Sequence, residues 1–164
     1  MDIFVEHVVK KRKSAVNHLM IAGVLIAGAA MLYLSVIFAG IIFLPAFLVV
    51  GAVYGVYWIV TSQNIEYEYI ITNTDLDIDQ IMSKKRRKRL LTLDVKKLEI
   101  IAPAAGKTLN SGEYEKTYKY CGSMDSTGLY YAIINRGNRR ELLYFEPNEK
   151  MIATFKRYLG SKLQ

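Results

Sequence analysis

The sequence predicts an α+β chain in two parts: a transmembrane two-helix hairpin, then a seven-stranded antiparallel β-barrel or sandwich capped by a C-terminal α-helix. Three observations predict it. Ser14 to Ile65 contains no Asp, Glu, Lys or Arg, although the chain carries 15 acids and 22 bases. From Ile65 the apolar period becomes two, the period of a half-buried strand. From Pro147 to Leu159 the spacing becomes helical, with Met151, Ile152, Phe155 and Leu159 on one face.

The uncharged window is too long for one crossing. A helix of about fifty residues would run roughly 75 Å, against a hydrocarbon core of roughly 30 Å. Gly40 and Pro45 in "FAGIIFLP" weaken helix continuity, so the spans are expected near Ala15–Ala39 and Ile42–Thr61. This divides the chain into an N-terminal cytoplasmic or interfacial segment (1–13), the hairpin (14–62) and a cytoplasmic domain (63–164). "KKRK" abuts the first span and "KKRRKR" follows the second, while the connecting turn is uncharged. The positive-inside rule therefore puts both termini in the cytoplasm of a multi-pass inner-membrane protein. Tyr54, Tyr57 and Trp58 gather near the inner end of the second span, where amphipathic rings favour the interface. Ala27-Gly28-Ala29 imitates a signal-peptide cleavage site, but apolar sequence continues well beyond it, which a secreted mature protein would not carry.

Within the spans, Gly23 and Ala27 are four apart, as are Gly51 and Gly55. Small residues at this spacing let helix backbones approach in lipid, either within the hairpin or, through the Gly51/Gly55 face, in a homodimer. No Asp, Glu, Lys or Arg lies within the spans, which argues against an ion or proton pathway. The opening "MDIFVEHVV" reads as an amphipathic turn or two at the interface, or as a frayed terminus.

The β-rich part follows in order. "IEYEYIIT" alternates Ile65, Tyr67, Tyr69 and Ile71 against Glu66 and Glu68; "LDIDQIM" alternates Leu76 and Ile78 against Asp77 and Asp79, and Asp75, Asp77 and Asp79 read as one solvated face. "RLLTLD" is a third strand and "VKKLEIIAP" a turn and a fourth. Lys116–Gly122, Gly128–Asn135 and Arg140–Phe145 supply three more. In the closing helix Pro147 suits the first helical position, Lys156 and Arg157 the cation-favouring end, and Gly160 the stop.

"YEYIITNTDLDID", "KRLLTLDVKKLEIIAP" and "LLYFEPNEKMIATFKRYL" together resemble the pleckstrin-homology (PH)-like fold. More narrowly, the chain resembles bacterial membrane proteins in which a two-helix hairpin carries a C-terminal PH-like domain. The resemblance covers nearly the whole chain and implies membrane residence, not an activity.

Chemistry is sparse. Cys121 is the only cysteine, so no intramolecular disulfide forms, and His7 and His18 are the only histidines, which removes a His-based zinc site or a Ser-His-Asp triad from the β-rich part. "IAPAAGKT" ends like a phosphate-binding loop but has Ile101 where the first glycine belongs and no helix after Thr108. No cofactor, metal or nucleophile–base pair is indicated, so the chain reads as non-enzymatic.

Lys84, Lys85, Arg86, Arg87, Lys88 and Arg89 form an unbroken run of six cations. Nucleic acid is disfavoured as a partner because no aromatic interleaves them. At a hairpin tip the run is either simply solvated or meets anionic membrane lipid, at about 1 kcal/mol per cation. The expected function is a membrane-anchored interaction or scaffold module that this run orients on the bilayer. The alternative is a protein-interaction subunit of a larger membrane complex, engaged through the loop Ala104–Glu113 or a sheet edge.

Overall fold

The computed structural model describes residues 3–41, 43–104, 109, 113–137 and 139–160. These fall into two compact units, Met1–Arg12 with Ile65–Gln164, and Lys13–Asn64.

The first unit holds two four-stranded sheets. One runs β1 (Phe4–Lys10), β2 (Ile65–Thr72), β3 (Asp75–Met82) and β4 (Arg86–Asp94), each antiparallel to its neighbour. The other contains β5 (Leu98–Pro103), β6 (Lys116–Lys119), β7 (Tyr130–Arg136) and β8 (Arg139–Phe145), in the order β5-β7-β8-β6. A 3₁₀ turn, Val95–Lys97, joins the sheets, and the Asp94 side chain accepts the Lys96 amide at 2.9 Å. Two expectations are corrected. Among the described residues there are eight strands in two sheets and no closed barrel, where the sequence predicts seven strands in a barrel or sandwich. The pairing is also not wholly antiparallel, because β6 runs parallel to β8.

The additional strand is β1, where the sequence suggested an amphipathic turn or fraying. Seven residues register with β2, from Phe4 opposite Thr72 to Lys10 opposite Glu66. Val5, His7 and Val9 turn inward beside Ile71, Tyr69 and Tyr67, while Phe4, Glu6, Val8 and Lys10 turn out. The whole helical unit is therefore inserted between two hydrogen-bonded neighbours of one sheet.

The period-two residues do what their pattern requires. Tyr67, Tyr69, Ile71, Leu76, Ile78, Leu91 and Leu93 line the inner face and are buried, together with Ile134, Leu143 and Phe145 of the second sheet. The helix α3 (Glu149–Leu159) closes this core with Met151, Phe155 and Leu159. Tyr69 meets Phe145 edge-on at 6.0 Å, and Phe145 meets Phe155 likewise at 5.9 Å, a geometry that adds about 0.5–1.5 kcal/mol per pair to the burial itself. Asn148 caps α3, its Oδ1 accepting the Met151 amide at 2.9 Å, so Pro147 stands before the cap rather than in the first turn. Gly160 ends the helix at φ 55°.

The outer face of the second sheet carries its own apolar cluster: Leu129, Ile133, Leu142 and Tyr144, covered in part by Leu109, Tyr114 and Met124. The Leu109 amide donates to the Tyr144 hydroxyl at 3.0 Å. The loop expected as a partner surface, Ala104–Glu113, is anchored at Ala104 and Leu109. Residues 105–108 and 110–112, including Gly106-Lys107-Thr108, lie outside the described residues.

The second unit is a pair of helices, α1 (Ala15–Ile37) and α2 (Leu44–Ser62), each long and apolar enough to cross a membrane. Pro45 lies in the first turn of α2, where its missing N–H costs nothing. The observed ends lie within a few residues of the expected ones.

Candidate functional site

The β3–β4 connection is a tight turn. The Lys85 amide donates to the Met82 carbonyl at 3.0 Å, and both Ser83 (φ 52°) and Lys84 (φ 57°) sit in the left-handed region. Such a backbone costs about 1–2 kcal/mol per non-glycine residue, so the flanking ladder must impose it. Met82 registers with Arg86 and Ile81 with Arg87. The six cations are consequently not all at a tip. Lys84 and Lys85 are on the turn; Arg86, Arg87, Lys88 and Arg89 are the first residues of an edge strand.

Strand geometry sorts this run by face. Arg87 Nη2 lies 2.9 Å from Glu68 Oε1; Arg89 Nε lies 2.6 Å from Asp79 Oδ1 and its Nη1 2.8 Å from Asp77 Oδ2. A register shift beside Ile78 and Asp79 lets Arg89 join Arg87 on the outer face while Leu91 returns to the core. Asp79 is only 3% exposed, which corrects the expectation that it lies on a solvated face with Asp75 and Asp77, and Glu68 beside it is 2% exposed. Burial pushes the Glu68 carboxyl above its ordinary value; the Arg87 guanidinium opposes that, and Glu6 and Asp79 add to it. Among the described residues no ion pair reaches Lys84, Lys85, Arg86 or Lys88, and all four are exposed. The run thus divides into two neutralised arginines and four free cations.

The register also locates these four. Met82 pairs with both Ile65 and Arg86, and Lys10 pairs with Glu66, so the turn lies at the end of the sheet where β1 finishes and β2 begins. Those are the strand ends through which the chain passes into α1 and returns from α2. More cations lie there. The Lys11 amide donates to the Ile65 carbonyl at 2.9 Å and the Arg12 amide to the Gly122 carbonyl at 2.8 Å. Lys11 and Lys119 both stand near Cys121, where they lower its thiol, although burial dominates and pushes it up to about 11. In the sequence Lys10, Lys11 and Arg12 serve only as a topology signal, and Lys119 does not stand out. Recognising "FVEHVVK" as a strand would have connected them.

A clasp holds this end together. The Glu146 carboxylate accepts the Gly122 amide at 2.6 Å, the Ser123 amide at 3.1 Å and the Ser126 hydroxyl at 3.0 Å. Gly122 is packed so closely that a Cβ there would meet the Lys10 carbonyl oxygen at 2.8 Å. The cleft lined by Asp75, Thr92, Asp94, Lys97 and Gly137 opens at the opposite end of the first sheet, where Asp75 faces Asp94.

In the helical unit, the expected packing residues are displaced from the contact. A Cβ on Gly28 would meet Val56 Cγ2 at 3.1 Å, and Gly28, Ser35 and Ala52 are buried. Gly23, Gly51 and Gly55 have nothing within 4 Å of that position, and Ala27 is exposed. The run Ala27-Gly28-Ala29-Ala30 is small on every face, so spacing alone does not select the one that packs.

A family model described as "Bacterial PH-like domain (DUF6106)" matches residues 1–164, spanning the helical insert as well as the sheets. No curated protein and no solved structure matches the chain.

Proposed function

The chain belongs to the bacterial PH-like domain family, and we propose that it is a non-enzymatic interaction or scaffold module of the inner membrane whose basic hairpin orients the domain on anionic lipid. The observation that carries this reading is the register: the free cations of the β3–β4 turn share one end of the sheet with the strand ends leading to both apolar helices.

Two crossings with both termini in the cytoplasm fit the ladder between β1 and β2. Those strands pair only if the chain before α1 and the chain after α2 lie on one side of the bilayer, so the number of crossings must be even. Tyr54, Tyr57 and Trp58, all more than half exposed, suit an interfacial belt. The open flank at Gly51 and Gly55 suits a second copy in the membrane.

The cations serve orientation rather than recruitment, because the spans hold the domain permanently. With Arg87 and Arg89 engaged by their own carboxylates, Lys84, Lys85, Arg86 and Lys88 supply up to about 4 kcal/mol at the surface, enough to select one tilt over another. The test exchanges these four for Gln in nanodiscs and measures the depth of a nitroxide at residue 125. The exchange is expected to abolish the difference between anionic and neutral bilayers. Equal depths in the unaltered protein would remove the reading and leave a protein partner as the reason for the exposed strand.

A further inference from the structure

We infer that the anionic ligand of this end of the domain is the charge of the membrane surface itself, met by two cation groups on opposite edges of the first sheet, and not a single headgroup held in a pocket. The inference rests on the orientation reading above and specifies its ligand.

Three observations carry it. The first is distance. Lys10, Lys11 and Arg12 continue β1, while Lys84, Lys85, Arg86 and Lys88 belong to the turn and β4, the other edge of the sheet. Three strand spacings separate those edges, roughly 14 Å. Side chains that stay over their own strands reach different phosphates at that separation, because each charged hydrogen bond spans only about 3 Å.

The second is chemistry. Stereospecific recognition of a phosphate uses the rigid fork of arginine, whereas lysine acts as a point charge. The two arginines of the run whose heads are fixed, Arg87 and Arg89, are turned onto Glu68, Asp77 and Asp79. The free set is dominated by lysine: Lys10, Lys11, Lys84, Lys85, Lys88 and Lys119, all exposed, with Arg12 and Arg86. Glu66 stands opposite Lys10 and offsets part of its charge, and Glu146 is occupied by the Gly122, Ser123 and Ser126 donors.

The third is shape. Among the described residues, the cleft between Asp75, Asp94 and Gly137 lies at the far end of the sheet and is lined by two carboxylates facing each other, which disfavour a phosphate there. Lys119, on β6, adds a third point of attachment beside Lys11 and makes the rim two-dimensional. A two-dimensional array of separate cations fixes tilt about both axes in the membrane plane, whereas a single linear run leaves the domain free to roll about the line of the run.

The experiment uses the full chain with Cys121→Ala, in nanodiscs of phosphatidylcholine mixed with phosphatidylglycerol or cardiolipin at equal negative charge. Nitroxides on Asp125→Cys and, at the far end, Thr72→Cys report depth. The expected result is the same depth at residue 125 in both anionic mixtures, lost as salt rises from about 0.1 M to about 1 M, where the screening length falls from roughly 10 Å to 3 Å. Neutralising Lys11, Arg12 and Lys119 should shift the bound-to-free ratio by about fivefold per charge, as should neutralising Lys84 and Lys85. Depth that responds to one lipid alone at matched charge overturns the inference while leaving orientation intact. The same holds if only the Lys84–Lys88 group matters. No response to either anionic mixture defeats the orientation reading itself.

Discussion

Phe145 and Ile26 are both large apolar side chains, yet one is 0% exposed and the other 71% exposed. The first belongs to a unit that removes its own apolar surface from water. The second belongs to a unit in which only 6% of the most apolar window of either helix is buried within the protein. In the sheets, side-chain packing supplies the apolar surroundings; the helices leave most of their apolar surface to another partner, and under the proposed function that partner is the bilayer. The same residue type therefore answers to different partners in the two units, and so does a charge. On the outer face of the first sheet Arg87 and Arg89 are matched to Glu68, Asp77 and Asp79, while the two apolar helices carry no Asp, Glu, Lys or Arg.

The largest expected effect breaks this comparison from both sides. Phe145→Ala should destabilise the β-rich unit by about 3–5 kcal/mol, read by denaturant unfolding in detergent, because the ring is enclosed by Tyr69 and Phe155. Ile26→Ala should leave that unfolding unchanged. Ile26→Arg, harmless on a soluble surface, should make insertion of α1 less favourable by roughly 3 kcal/mol in a translocon insertion assay. If Ile26→Arg inserts as well as the parent, the helices do not face lipid and the contrast between the units disappears.

A smaller effect is expected where the chain passes from one unit to the other. Gly122→Ala would press a methyl against the Lys10 carbonyl oxygen, the Val9 side chain and the Glu146 carboxylate, so the end of β1 or the loop must give way. Overpacking of this kind costs about 1–3 kcal/mol. Hydrogen exchange should quicken at Lys10, Lys11 and Arg12 while the Tyr69–Phe145 core keeps its protection. Uniform loss of protection would mean that β1 is not a separable element.

The units also differed in how far they could be read from sequence. The two apolar helices announce themselves because no charge interrupts them over a length that could cross a bilayer, and the helix ends follow from Pro45 and the neighbouring turn. Strands β2 and β3 are equally plain, since their own residues alternate. β1 is not, because its outward face mixes Phe4 and Val8 with Glu6 and Lys10, and the partner that makes it a strand lies beyond the entire helical insert. The division of the basic run was hidden for a related reason. Glu68, Asp77 and Asp79 lie on other strands, and only the register brings them to Arg87 and Arg89. Local pattern shows which residues are apolar or charged; long-range pairing decides which charges stay free.

The smallest effect sharpens that last point through pH. The Glu68 carboxyl is held above its ordinary value of 4.5, chiefly by burial. Between that value and its higher native one, the folded protein binds a proton that the unfolded chain has released, so stability falls as pH rises through the window. Glu68→Gln removes the titration and keeps an oxygen able to accept from Arg87 Nη2. The variant should lose this segment of the pH–stability curve, with a net change near neutral pH of about 1 kcal/mol or less, since an exposed guanidinium loses little with its ion pair. Arg87→Gln in the parent should act the opposite way, steepening the fall by withdrawing the one neighbour that favours the charged form. Thermal unfolding scanned from about pH 4 to pH 8 measures both. Identical curves for parent and Glu68→Gln would mean that the carboxylate finds its compensation outside the Arg87 pair.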